Sequence, residues 1–192
     1  MKTDKHGNKC DKRLPVAIYS LALPKFDYDK AITFAEKLYG SNGIYFDIRQ
    51  EQCLNVSAAQ QVKLEVIDGA CKWDQNNSEQ DDLYNLVDTW VSNSIVIFIV
   101  GGIKTSATST LAGCAGHAPS KPAVVVSATG TMYTLAHELG HVLLTSSYSP
   151  VHETSTSNIM VSGTHRIPAG SSPTFNASQV TQIKKSKHLQ AC

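Results

Sequence analysis

No stretch of about 20 apolar residues occurs in this chain of 192, so no segment reads as a membrane-spanning helix. Repeats and low-complexity tracts are lacking as well. The charges nearly cancel, at a net +1, which argues against nucleic acid as the default partner. No CxxC pair occurs among the cysteines, which speaks against a cysteine zinc site or a redox motif. There is no DxDxDG calcium loop. The residues after Met1 contain no apolar h-region of a leader peptide. From Thr154 to Cys192 there is neither Asp nor Glu. What remains is an ordinary globular composition, 42% apolar and 17% charged, long enough for one domain with an adequate core.

Five cysteines, Cys10, Cys53, Cys71, Cys114 and Cys192, suggest two disulfides and one free thiol. The economical pairing closes a loop with Cys53 and Cys71 and ties the ends with Cys10 and Cys192, leaving Cys114 over. Disulfides imply a secreted or extracytoplasmic protein. A leader already removed is favoured over another export route. Asn55, Asn76 and Asn176 lie in N-x-[ST] sequons, which matter only if the source glycosylates. Arg166, Lys184, Lys185 and Lys187 stand in the acid-free tail and read mainly as a solvated face, with an acidic partner as the alternative.

Periodicity places the elements. Leu14–Leu21 reads as a strand, and Asp27–Tyr39 as an amphipathic helix with Ile32, Phe34, Ala35 and Leu38 inside. Ile44–Arg49 alternates like a second strand, and Asp81–Val91 carries Leu83, Leu86, Val87 and Trp90 at helical spacing. Ile95–Val100 is a continuous apolar run, suited to the middle of a sheet covered on both faces. Ala123–Val126 is a short further strand, and Asn176–Leu189 reads as a closing helix with Ala177, Val180, Ile183 and Leu189 on its apolar side.

The segment with chemistry in it is His137-Glu138-Leu139-Gly140-His141. At 3.6 residues per turn the two histidines stack one turn apart and can grip one metal ion. Glu138 can then reach a metal-bound water as general base. Met132, Leu135, Ala136, Leu139, Val142 and Leu143 make the surrounding pattern helical, and residues 127–131 offer N-cap candidates. A core helix with two satisfied histidines is the bland alternative. Against it stands Glu138, a carboxylate that would be costly to bury without a partner.

A hydrolytic zinc takes three protein ligands and keeps one position for water. The acid-free tail leaves nothing for a distant Glu or Asp ligand. The candidates for the third position are His152, Glu153, His165 and His188, with His117 upstream.

His152–Met160, reading HETSTSNIM, resembles the stretch of metzincin zinc peptidases between the third zinc histidine and the Met-turn, with the histidine-to-methionine interval of matrixin-like members. The resemblance is strongest over residues 122–160 and rests elsewhere on the order of elements. It implies an α+β catalytic domain: a mixed twisted sheet, a zinc-binding active-site helix and a C-terminal helix. His137, His141 and His152 would be the metal ligands of one catalytic zinc ion, Glu138 the catalytic base, and Met160 a hydrophobic floor that is not a ligand. One catalytic domain would span 1–192, with an upper part to about residue 141 and a lower part over 142–192. The segment Thr110–Ala118 would be the sheet edge that pairs with an extended peptide, an ordinary loop being the alternative.

The chain departs from the family signature H-E-x-x-H-x-x-G-x-x-H. Leu144 stands at the glycine and Ser147 at the third histidine, and ten residues separate His141 from His152. The helix is therefore expected to run to about Thr145, followed by a loop over 146–150 that returns His152 to the metal; closure of such a loop costs little extra. Val161 and Ser162 follow Met160 where some metzincins carry a tyrosine, so Tyr148 in the loop becomes the candidate oxyanion stabiliser, with packing as its other role. A thiolate latch by Cys10 would need a longer pro-segment.

The implied function is a zinc endopeptidase, a monomer with a protein or peptide substrate and neither nucleic acid nor membrane as partner. A zinc hydrolase of other substrates is a rival. A non-catalytic zinc-binding adhesin or toxin subunit of the same fold is another.

Overall fold

The computed structural model describes residues 3, 7–69, 71, 77–87, 94–106, 108–116 and 120–192. The elements in chain order are β1 (Lys12–Ser20), α1 (Tyr28–Gly40), β2 (Ile44–Cys53), α2 (Ala58–Leu64), β3 (Val66–Asp68), α3 (Ser78–Tyr84), β4 (Ile95–Val100), β5 (Gly102–Ser106), β6 (Ser109–Leu111), β7 (Gly113–Cys114), β8 (Ala123–Ser127), α4 (Thr134–Leu144), α5 (Ala177–Ile183) and β9 (Gln190–Ala191).

All six side chains of β4 are buried, and they divide by parity. Ile95, Ile97 and Ile99 join one apolar cluster with α1 and α4. Val96, Phe98 and Val100 join a second, with Leu64 of α2 and with Leu83 and Tyr84 of α3. A strand apolar at every position is stable only where both faces are covered, and β4 lies mid-sheet in the order β2-β1-β4-β8-β7. The first four of these are mutually parallel, whereas β7 runs antiparallel to β8 at the edge. A second, three-stranded sheet has the order β3-β5-β6. This is the mixed α+β architecture that the sequence implies.

Helix α1 begins where Asp27 accepts a hydrogen bond from the Lys30 amide, and it buries Ala31, Ala35, Leu38 and Tyr39, while Ile32 and Phe34 are only partly covered. The third helix runs over Ser78–Tyr84 rather than 81–91, opened by a capping box of Asn77 and Gln80; residues 88–93 lie outside the described residues. The last helix stops at Ile183, short of Leu189. Beyond it the chain turns back, and Gln190–Ala191 pairs antiparallel with Lys12–Arg13 of β1.

The Cys10–Cys192 disulfide holds that closure, as the sequence suggests. The other pairing differs: Cys71 bonds Cys114, and the exposed Cys53 is the free thiol. Cys53 ends the edge strand β2, whereas Cys71 and Cys114 both line the cleft beside β7, so spatial neighbourhood overrides spacing along the chain. With its sulfur in the bond to Cys192, Cys10 is not a latch.

Candidate active site

Strand β8 delivers the chain to the start of α4. The N-cap position is Tyr133, whose side chain makes no capping bond. The threonines do the work from either side of it: Thr131 Oγ1 accepts from the Tyr133 amide at 3.2 Å, and Thr134 Oγ1 accepts from the Thr131 amide at 2.9 Å. Ten of the eleven residues of α4 are buried, His137 and Glu138 among them.

The helix ends at Leu144, and Thr145 takes a positive φ of 64° with ψ 169°, an extended conformation ordinarily reserved for glycine. Leu144, at the signature's glycine position, remains helical. The turn that glycine would make is displaced by one residue, at the strain cost a β-branched side chain incurs at positive φ. The following loop carries His152 back against α4.

Three imidazoles then face one another. His141 Nε2 lies 3.0 Å from His137 Nε2 and 3.1 Å from His152 Nε2. The rings of His137 and His152 are nearly parallel, at 12°, and both stand almost perpendicular to His141. The three could hold a metal ion, their ligand atoms all lying within 4.8 Å of one another. His137 Nδ1 donates to the Ile159 carbonyl at 2.7 Å. A carbonyl can only accept, so this bond fixes the proton on Nδ1 and leaves the Nε2 lone pair facing the other rings.

Burial holds His137 down at about 4, and lowers His141 well below the ordinary imidazole value with help from His137 and His152. Burial lowers the more open His152 too. All three are thus neutral near pH 7, the form that ligates metals. Burial pushes Glu138 the other way, up to about 8.

A cleft of about 540 Å³ opens over these groups, walled by residues 111–115 on one side and by Val151 and residues 162–164 on the other. Two glycines allow close packing around α4. A Cβ on Gly113 would lie 2.5 Å from both Cγ and Oε1 of Glu138, so β7 passes the carboxylate only because that atom is missing. A Cβ on Gly140 would lie 2.5 Å from Met160 Sδ, so α4 and the 158–161 turn approach by the same means. Met160 is fully buried against Gly140 of α4. Neither glycine emerges from the sequence reading, because close approach leaves no local pattern.

The other sequence candidates lie elsewhere. Glu153 accepts from Asn176 Nδ2 at 2.8 Å, and the exposed His165 stacks over Gly163; neither belongs to the cluster, nor does His188. His117 is outside the described residues. The Tyr148 hydroxyl bonds Ser178 Oγ at 2.7 Å, its ring packs on the core, and it is not among the cleft-lining residues.

No protein-family model matches the chain, and no curated protein matches its sequence. Solved structures do resemble it. Metalloproteinase-II from Bacteroides fragilis superposes with a TM-score of 0.57 at 14% identity, over 96% of this chain and 56% of that one. The chain therefore spans little more than half the length of that protein. Archaemetzincin from Methanopyrus kandleri superposes with a TM-score of 0.51 at 12% identity, over 90% of this chain and 94% of that one. The likeness covers nearly all of the chain, which has a metzincin-like fold.

Proposed function

We propose that this chain is a zinc-dependent endopeptidase. The observation that carries the proposal is the convergence of three neutral imidazoles beside a buried carboxylate at the floor of an open cleft. The donors suit zinc. Bonds of about 2.0–2.1 Å in a tetrahedral site place ligand nitrogens about 3.3 Å apart, close to the separations of 3.0 and 3.1 Å here. A structural zinc site has four protein ligands, whereas three with an open side favour catalysis over a binding-only role.

His137, His141 and His152 would hold the ion, and the Ile159 carbonyl keeps His137 in the ligating tautomer. Zinc, when bound, supplies a Lewis acid for the scissile carbonyl and lowers the pKa of water from 15.7 toward about 7. A cation held by the imidazoles also opposes the effect of burial on Glu138 and favours its carboxylate. Glu138 takes a proton from the attacking water and delivers it to the leaving amine. The edge β7, flanked by the small residues Ala112 and Ala115, offers main-chain groups to an extended peptide. The cleft then separates a larger part, to about residue 141, from a smaller one over 142–192. Two disulfides, with no described helix long and apolar enough to cross a membrane, support an extracytoplasmic setting.

The test is digestion of a diverse peptide mixture by the zinc-loaded chain beside Glu138→Ala, read by mass spectrometry. Cleavage that vanishes in the variant while zinc remains bound supports the proposal. Absence of cleavage by folded, zinc-loaded wild type favours the non-catalytic reading.

A further inference from the structure

Three helices of this protein start with the same device, in which an Asn or Ser at the N-cap and a Gln three residues on exchange bonds with each other's backbone. In α2 the glutamine, Gln60, is exposed and its bonds stay within the cap. In α3 the equivalent Gln80 is fully buried and also donates to the Gly116 carbonyl, away from the histidines, and in α5 Gln179 is fully buried as well. Its Oε1 accepts from the Asn176 amide at 2.9 Å and also from Asn158 Nδ2 at 2.8 Å. Its Nε2 points to Glu153 Oε1 at 3.5 Å, on the carboxylate that Asn176 Nδ2 also contacts.

Both arms lead to the histidines. On one, Asn158 Oδ1 accepts from the Met160 amide at 2.8 Å and so shapes the turn whose Ile159 carbonyl holds His137 Nδ1. On the other, Glu153 directly follows His152, and its amide donates to the Met160 carbonyl at 2.9 Å. Two of the three imidazoles are thus seated on one peptide frame, and a single buried amide joins its two ends.

We infer that Gln179 is a positioning residue for the metal site: it sets the ring of His137 through Asn158 and the placement of His152 through Glu153. The inference rests on the zinc reading above. A helix cap needs no burial and no third partner. A buried amide with every atom engaged has one arrangement of low energy, and that rigidity passes to the groups it holds.

The test compares Gln179→Met, which keeps the volume and removes the polar atoms, with Val180→Ala, which weakens packing of the same helix outside the network. Zinc affinity is measured by competition with a chromophoric chelator, ligand geometry by the visible spectrum of the cobalt-loaded protein, and stability by urea melts. Expected for Gln179→Met is a loss of about tenfold or more in zinc affinity with shifted cobalt bands. Val180→Ala should show wild-type affinity and spectrum despite its lower stability. Wild-type affinity and spectrum in Gln179→Met would overturn the inference, as would an equal loss in Val180→Ala. Should Gln179→Met not fold, Gln179→Glu is read instead. It keeps the acceptor for Asn158 and sets a carboxylate against Glu153, so a cobalt spectrum unchanged from wild type overturns the inference. A wild-type chain that binds neither ion overturns the zinc reading itself.

Discussion

Alanine at Gly140 sets two effects of opposite sign against each other. The change improves helix propensity by about 1 kcal/mol. The new Cβ, however, would lie 2.5 Å from Met160 Sδ and 3.4 Å from both Met160 Cε and Phe175 Cε1. Ordinary carbon contacts are about 3.5–4.0 Å, so the sulfur must retreat by about 1 Å. Met160 is fully buried and Phe175 is 8% exposed, so the sulfur cannot swing out into solvent and must press on its buried neighbours. Overpacking of this kind costs about 1–3 kcal/mol. The steric effect is the larger over most of that range, and a net loss of up to about 2 kcal/mol is expected. Met160→Ala alone should cost about 2–5 kcal/mol by leaving a cavity. In the double variant the Gly140→Ala methyl occupies part of that cavity, so the two losses should fall short of adding by at least about 1 kcal/mol. Urea melts followed by circular dichroism, with the disulfides oxidised and zinc removed, measure all three. Additivity within about 0.5 kcal/mol, or a more stable Gly140→Ala, would refute the contact.

Gly113→Ala should displace Glu138 while leaving the fold intact: kcat/KM on a cleaved peptide should fall at least about 100-fold with little change in Tm, since displacing a reacting group by about 1 Å costs that much. Activity near wild type would show that the carboxylate has room to move. The metal-free chain should be most stable near pH 6.5. Histidines held below their ordinary value contribute stability that is lost as pH falls from 6.5 toward 4, whereas Glu138, raised from 4.5 to about 8, contributes stability that is lost as pH rises through that range. Three depressed imidazoles outweigh one raised carboxyl below 6.5, and Glu138 alone acts above it. Melts in chelator at pH 5, 6.5 and 8 check this, and Glu138→Gln should abolish the decline on the alkaline side. A thiol reagent should label one cysteine in the native protein, mapped to Cys53; labelling of Cys71 or Cys114 would contradict their disulfide.

Elements with a strong period were legible from the chain alone. The run Ile95–Val100 has no polar position to misplace, and the helix around His137 repeats its apolar residues at helical spacing. Short elements were not legible. Val66–Asp68, Gly102–Ser106 and Ser109–Leu111 have three to five residues each, too few for a period, and they are strands because they pair with one another. Leu189 fits the helical spacing of the final segment, yet the chain leaves the helix at Ile183, because pairing of β9 with β1 and the bond to Cys10 draw the terminus elsewhere.

The candidate site divides along the same line. His137, Glu138 and His141 lie within five residues, and helix geometry alone sets their relation, so sequence sufficed for them. The third imidazole depends on where a loop returns, and the sequence narrowed it to several residues before the fold brought His152 within 3.1 Å of His141. Cys71 with Cys114, Gly113 against Glu138, Gly140 against Met160 and Gln179 between Asn158 and Glu153 belong to the tertiary structure alone. Each is a contact between segments far apart in the chain, and no local pattern carries the free energy of a distance that only packing decides.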